Sequence, residues 1–423
     1  MNKDYTSLAK SLKAIVGSDY LIENSALKID ALTPAFIIKP ESTEEVCACL
    51  KVCGEFAATV IPAGAMTWLE CGNPLRAADV VLSLERLNCI IEYSPPDLTA
   101  IVEAGLSLNE FNAVTKRQGQ WLPLDFSGAP QATLGAIAST AASGALRLGF
   151  GTPRDYVIGL RLAHIDGTES KSGGRVAKNV AGYDLNKLYV GSFGTLAVIT
   201  GLNLKLRPLP ERFATMLITA KEPAKLVELA KRAFASVIQP ASIFLATRLP
   251  ALSNQPALLI RFIESEAAVE YQLNELTHLL DEDFQASLLS DEAAETVWQQ
   301  AINVDELAGI AVRLSVPLAK ATWIFQLLQE MHKDCLASVD IGVGIIRLSF
   351  EAEDAKAVDL IRAMRLLATG VSGTLFIERA PSTVRGEADA WGDVGNLAKL
   401  MKGVKFNFDP QSLLNAGRFV SRI

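Results

Sequence analysis

Histidine is scarce in this chain: among 423 residues only His164, His278 and His332 occur, and no two of them are spaced as a pair. A metal centre or a Ser-His-Asp triad built on them has no support. No apolar run approaches the roughly 18 residues that a membrane-spanning helix needs. Residues 1–20 lack a positive flank followed by an unbroken apolar stretch, so neither a signal nor a transit peptide is expected. The protein is expected to be soluble and cytoplasmic, reaching the inner face of a membrane only through partners. Basic residues form no block and the formal net charge is −7, which leaves nucleic-acid binding without an electrostatic footprint. Neither a Gly-x-Gly-x-x-Gly turn after a strand nor a P-loop is found, so the two commonest nucleotide loops are excluded. The six cysteines are scattered. Cys47, Cys49 and Cys53 share a helical stretch whose spacing matches no zinc or iron–sulfur pattern, and they are expected to be small core fillers. Any iron–sulfur centre used by this protein would sit on another subunit.

What is present divides into two textures. A chain this long exceeds one ordinary core, so two large domains are expected. Residues 1–30 predict a helix, with Leu8, Leu12, Ile15 and Val16 on one face, and a connector. Strands are predicted at 35–39, 59–61, 80–83, 90–93, 99–103, 157–165 and 196–206, with helices at 42–53 (capped by Ser42) and 108–117. The proline pair in Arg207-Pro208-Leu209-Pro210 marks a domain boundary. Beyond it strands are predicted at 215–219, 242–247, 257–264, 310–316, 340–350 and 373–378. They alternate with amphipathic helices at 223–236, 266–280, 318–332 and 355–368, as in an antiparallel sheet backed by helices. A last helix and an Asp409-Pro410 turn lead to Asn415-Ala416-Gly417-Arg418.

Three clusters of small residues carry the chemistry. Pro62-Ala63-Gly64-Ala65-Met66-Thr67 follows a strand and lets backbone N–H groups approach a phosphate, with a threonine hydroxyl as an extra donor. The stretch 133–144 is almost entirely Gly, Ala, Ser and Thr, with Arg147, Gly149 and Gly151 just beyond. Its composition suits either a tightly packed core helix or a backbone pressed against a pyrophosphate, and the hydroxyls and flanking Arg lean toward the ligand. The third cluster is the run KSGGRVAKNVAGYDL at 171–185 with GSFGTLAVIT at 191–200; taken alone, its cations also suit a solvated hairpin.

In this order and spacing, together with RDYVIG at 154–159, RLSVP at 313–317 and the tail motif, these segments resemble the FAD-binding domain of the vanillyl-alcohol oxidase / p-cresol methylhydroxylase family. Within that family the chain is similar to the FAD-binding subunits of bacterial glycolate oxidases (glycolate dehydrogenases). The resemblance is strong over about 30–210 and looser elsewhere. It implies an α+β fold: a connector at 1–30, a two-subdomain PCMH-type FAD domain at 31–210, an α+β cap with an antiparallel sheet at 211–396, and a segment at 397–423 returning to the flavin domain. It also implies roles. Pro62, Ala63, Gly64, Ala65, Met66 and Thr67 would form the first pyrophosphate loop. Thr133, Leu134, Gly135, Ala138, Ser139, Ser143 and Gly144 would form the second. Gly105, Pro123, Arg147 and Gly149 would line the channel, with Gly194 and Ile199 at the adenine end.

Relatives that tether flavin through the first loop carry a histidine where this chain has Ala65-Met66, so non-covalent FAD is expected. For a substrate carboxylate the candidates are Arg313 and Lys178. The implied function is that of the FAD subunit of a glycolate- or D-lactate-type 2-hydroxy-acid dehydrogenase complex, passing electrons to an iron–sulfur subunit beside a sister flavoprotein. The alternative is an electron-transfer or structural flavin subunit, with substrate oxidised on that sister.

Overall fold

The computed structural model describes residues 3–126, 128, 131–174, 183–252, 255–304, 308–332 and 334–423. Asp4 caps the first helix, Tyr5–Val16, by accepting from Ser7 N at 3.0 Å. Leu8, Leu12 and Val16 recur at helical spacing, so one face is buried. It packs on the helix Thr43–Glu55, whose Ser42 cap accepts from Glu45 N. Strands β1 (Leu21–Glu23), β2 (Phe36–Ile38), β3 (Val60–Ala63) and β4 (Val80–Ser83) form a sheet in the order β1-β2-β4-β3. β2, β4 and β3 run parallel, and β4 is buried along its whole length, as a covered parallel sheet requires.

A second sheet is antiparallel. Its strands are β5 (Ile90–Ser94), β6 (Thr99–Glu103), β8 (Val157–Ala163), β9 (Glu169–Gly173) and β10 (Val198–Lys205), ordered β5-β6-β10-β8-β9. Short β7 (Gln120–Trp121) pairs with β11 (Arg207–Pro208). Side chains from both larger sheets share one core.

The remaining strands form one eight-stranded antiparallel sheet: β12 (Arg212–Ala220), β13 (Ser242–Thr247), β14 (Ala257–Glu264), β15 (Phe284–Leu288), β16 (Ile310–Ser315), β17 (Leu336–Asp340), β18 (Ile345–Phe350) and β19 (Thr374–Arg379). The order β15-β12-β14-β13-β17-β18-β16-β19 is two βαββαβ halves, joined edge to edge by β13 and β17. The helices Pro223–Phe234 and Glu266–His278 serve the first half; Leu318–Met331 and Asp354–Gly370 serve the second. The halves repeat in structure without repeating in sequence.

One expectation is corrected here. Residues 340–350 are not one strand, because a turn at 341–344, with Gly344 at φ 75°, separates β17 from β18. β15 and the helix Asp291–Ile302 had no counterpart in the sequence reading. β15 is a largely exposed edge with little apolar signal, and the helix buries only Val297, Trp298, Ala301 and Ile302.

The eight-stranded sheet is fastened to the rest at two places. Gly149 N donates to Ala241 O at 3.1 Å, and Ser242 Oγ donates to Ala145 O at 2.7 Å. On the other side, buried Asp30 receives both Arg385, from the helix Ser382–Ala388, and Arg418, from the tail. The tail itself runs beside β3: Val60 N donates to Leu413 O, and Asn415 N donates to Val60 O. No helix among the described residues is long and apolar enough to cross a membrane.

Asp340, at the end of β17, is buried. Its Oδ1 accepts from Gly342 N at 3.0 Å and its Oδ2 has no partner among the described residues. Burial pushes its pKa up to about 7, against the pull of Gly342 N–H and Arg347. The unfolded chain releases this proton near 3.8, so between these values the folded state holds more protons. Stability therefore falls as pH rises through that window. Asp340→Asn is expected to remove this slope and to gain about 2 kcal/mol over the parent at pH 8 relative to pH 5. Urea midpoints at the two pH values measure it; parallel pH curves for parent and variant would contradict it.

Candidate cofactor and substrate site

β3 delivers Gly64, Ala65, Met66 and Thr67 into a turn in which Met66 adopts φ 59°. Thr133 caps the helix Leu134–Thr140 by accepting from Ala136 N, and it bridges to Ser107. The two segments meet where a Cβ on Gly64 would lie 2.1 Å from Thr133 Oγ1. Only glycine permits that approach. Beside the contact opens a cleft with about 750 Å³ of empty space, the open solvent at its mouth included. Pro62, Ala63, Gly64, Met66 and Thr67 line one side, and Thr133, Gly135, Ala136 and Ser139 line another. Phe193, Gly194, Ala197, Val198 and Ile199 close the end, with Asn415 and Arg418 contributed by the tail. The turn at 191–195 is stapled to the helix Leu134–Thr140 by Gly191 N to Ala138 O and Phe193 N to Ser139 O.

The donors are distributed unevenly between the two loops. The N–H groups of Gly64, Ala65, Met66 and Thr67 donate to no acceptor among the described residues. In the second loop the N–H groups of Leu134 to Ile137 are already used. Leu134 N donates to Leu106 O, Gly135 N to Ala104 O, Ala136 N to Thr133 Oγ1 and Ile137 N to Thr133 O. The first loop can therefore receive an anion, while the second supplies a small-residue wall and the hydroxyl of Ser139. Gly135 serves packing: a Cβ there would lie 2.7 Å from the Ala104 Cβ. Unpaired backbone donors beside a wall without bulk fit a diphosphate.

The other expected residues lie elsewhere. Ala65 and Gly105 line a separate, more open depression on the opposite side of the Gly64–Thr133 contact. Leu134 and Ala138 are in the core. Pro123, Gly144, Arg147 and Gly149 line neither the cleft nor the cavity beyond it. Gly144 N donates to half-buried Asp125, while Gly149 is pressed against Ala241 and serves the junction with the eight-stranded sheet. Lys178 lies outside the described residues. Trp68, Cys71, Leu84 and Phe193 were not foreseen on the cleft wall, although Trp68 follows the first loop directly.

Beyond Trp68, Cys71, Thr140 and Phe193 the cleft adjoins a second cavity with about 500 Å³ of empty space, where Ser143, Arg313, Arg347, Phe376 and Glu378 gather. Arg313 on β16 and Arg347 on β18 are directly opposite across the ladder, a like-charge pairing that is unfavourable unless something compensates. Glu378 on β19 does so: its Oε1 is 3.4 Å from Arg313 Nε and its Oε2 is 3.6 Å from Arg347 Nε. Arg347 Nη2 also donates to Ser143 O at 3.0 Å. Both Nε atoms and Glu378 Oε2 are nonetheless buried without a hydrogen bond among the described residues. Burial pulls Arg313 below the usual guanidinium value and Arg347 adds to that, while Glu378 opposes both. Buried Arg347 and half-buried Arg313, both with unused donors and facing an apolar wall, form an anion receptor. Arg313, singled out in the sequence, is at its centre; Glu378 could be found only through strand register. None of the three histidines lines either cavity. His164 meets Ser170 and stacks on Phe408, His278 is exposed, and His332 packs on Phe350.

Comparison with known proteins bears on the cleft directly. Residues 34–173 match the family profile described as an FAD binding domain. The glycolate oxidase subunit GlcD of Bacillus subtilis is 33% identical over 228 residues, which is 54% of this chain and 47% of that protein. The mitochondrial D-lactate dehydrogenase [cytochrome] of Arabidopsis thaliana is 30% identical over 249 residues, 56% of this chain and 44% of that one. The chain thus spans about half the length of these relatives. A probable mitochondrial D-lactate dehydrogenase of Danio rerio is 27% identical over 424 residues, covering 91% of this chain and 84% of the other. Among solved structures, p-cresol methylhydroxylase with substrate bound superposes with a TM-score of 0.74 at 14% identity, over 99% of this chain and 97% of that one. Alkyldihydroxyacetonephosphate synthase gives 0.75 at 16%, over 98% and 86%. These two show the fold.

Ser139→Leu fills the cleft without touching a backbone contact. It is expected to lower FAD retention about tenfold or more with little change in Tm. Gly135→Leu is expected to lower Tm, because its Cβ meets Ala104 rather than ligand. Flavin-to-protein absorbance ratios and melting curves separate the two, and full flavin content in Ser139→Leu would remove that wall from the site.

Proposed function

We propose, for a chain that carries an FAD-binding domain of the p-cresol methylhydroxylase type, that it holds FAD non-covalently in the cleft and serves as the flavin subunit of a glycolate- or D-lactate-type dehydrogenase complex. In that complex a sister flavoprotein and an iron–sulfur subunit stand beside it, the latter receiving the electrons. One observation carries the reading: the cleft, with the unused backbone donors of Gly64, Met66 and Thr67, adjoins a cavity with two arginines and a carboxylate.

The residues suited to FAD are Gly64, Met66 and Thr67 for the diphosphate, Ser139 and Ala136 for the opposing wall, and Gly194, Ala197 and Ile199 for the far end. When bound, FAD supplies the hydride acceptor that oxidation of a 2-hydroxy acid requires. Arg313, steadied by Glu378 and Arg347, would hold the substrate carboxylate. Trp68, Phe193 and Phe376 would exclude water from the space between, and Glu378 Oε2 is the carboxylate oxygen nearest to hand for the hydroxyl proton. Non-covalent attachment is supported by Ala65-Met66 in the first loop and by the thiol of Cys71, whose pKa burial pushes up to about 12, so that it stays protonated.

The same geometry favours a second reading in one respect. Glu378 is engaged with two guanidiniums, and no histidine lines the cavity to take its place as a proton acceptor. The chain would then relay electrons or complete the complex while a sister flavoprotein oxidises the substrate.

Two measurements check these statements. Acid precipitation is expected to leave all flavin in the supernatant; flavin in the pellet would mean a covalent bond. Anaerobic glycolate or D-lactate is expected to bleach the flavin of the isolated chain, and Arg313→Met is expected to abolish bleaching while retaining FAD. Absence of bleaching with both acids would favour the second reading.

A further inference from the structure

We propose that Glu378 sets the charge class of the ligand in the cavity beyond the cleft, admitting a short monocarboxylic 2-hydroxy acid and turning away dicarboxylates. This rests on the reading of Arg313 and Arg347 as a carboxylate clamp.

The charged groups lining this space are Arg313, Arg347 and Glu378, and the rest of the wall is largely apolar or uncharged. Their formal sum is one positive charge. One incoming carboxylate brings the sum to zero. A second would remain buried without a partner, and an unpaired buried charge is costly. Charges beyond the wall do not restore a second cation. Arg347 is only 2% exposed, and Asp125 and Asp340 already share its charge. Arg147 acts on Arg313 but does not line the cavity.

The geometry also explains why Glu378 does not simply block the clamp. It lies 3.4 and 3.6 Å from the two Nε atoms, beyond good hydrogen-bond distance. Arg313 makes no hydrogen bond among the described residues, so its outer nitrogens remain for a ligand. Arg347, in contrast, is anchored to Ser143 O. Glu378 thus holds the like-charged pair together while subtracting one charge from the receptor. Selection works by making the wrong ligand pay an unpaired charge, the repulsive half of specificity.

The test uses the full chain with FAD bound, titrated at neutral pH with propionate and with malonate, by calorimetry and by perturbation of the flavin spectrum. The parent is expected to bind propionate about tenfold more tightly than malonate. Glu378→Gln is expected to shift that ratio toward malonate by about tenfold or more, and Glu378→Asp to keep the parental order. Arg313→Met is expected to lose both ligands. Malonate binding as well as propionate in the parent overturns the proposal even if Glu378→Gln fails to fold. A ratio unchanged in Glu378→Gln overturns it too and leaves the clamp standing. Failure of the parent to bind either acid overturns the clamp reading and this inference with it.

Discussion

The backbone at Gly64, just after β3, meets the side chain of Thr133, the cap of the helix Leu134–Thr140, so closely that no Cβ fits between them, and the site is organised around that contact. β3 must end where the helix Leu134–Thr140 begins. The turn after β3 is consequently held against a wall of Thr133, Gly135, Ala136 and Ser139. The contact also decides where polar capacity is left over. The helix start is satisfied by Leu106, Ala104 and Thr133 itself, so it can be buried safely. The turn has no such acceptors and keeps its N–H groups for something else.

The eight-stranded sheet could not present Arg313 and Arg347 beside the cleft unless its placement were fixed. The ties are polar and buried. Asp30 receives Arg385 and Arg418, and those arginines also donate to the carbonyls of Gly72, Asn73 and Leu69, just after the first loop. Lys405 joins the tail to the flavin domain through Asp409, Thr195 O and Leu414 O. Such groups add little net stability compared with apolar packing, yet removing one partner costs about 3–5 kcal/mol. They act as alignment pins. Phe193 completes the alignment, because its ring meets Phe376 and Trp391 on one side and Phe419 of the tail on the other.

Much of the fold was legible because local signals agreed with tertiary demands. Residues 80–83, 99–103, 242–247 and 257–264 are strands in sequence and structure alike: apolar runs or alternations with turn residues at their ends. Ser42 was a visible cap. The two small-residue stretches stood out by composition, and both border one cleft. What composition could not reveal was which N–H groups are spent. That depends on Ala104 and Leu106, brought in by another strand. Nor could it show that Gly135 is a packing glycine and Gly149 an interdomain one. Glu378 was invisible as a partner of Arg313 because only the β16–β19 and β16–β18 registers bring the three together. Asp30 and Arg385 are 355 residues apart, beyond any local pattern.

Amide hydrogen exchange with and without FAD addresses the asymmetry between the two loops most directly. FAD is expected to protect the amides of Gly64, Met66 and Thr67 strongly. Those of Leu134, Gly135, Ala136 and Ile137, already bonded within the protein, should change little. Protection confined to the helix Leu134–Thr140, or absent from the turn after β3, would contradict it.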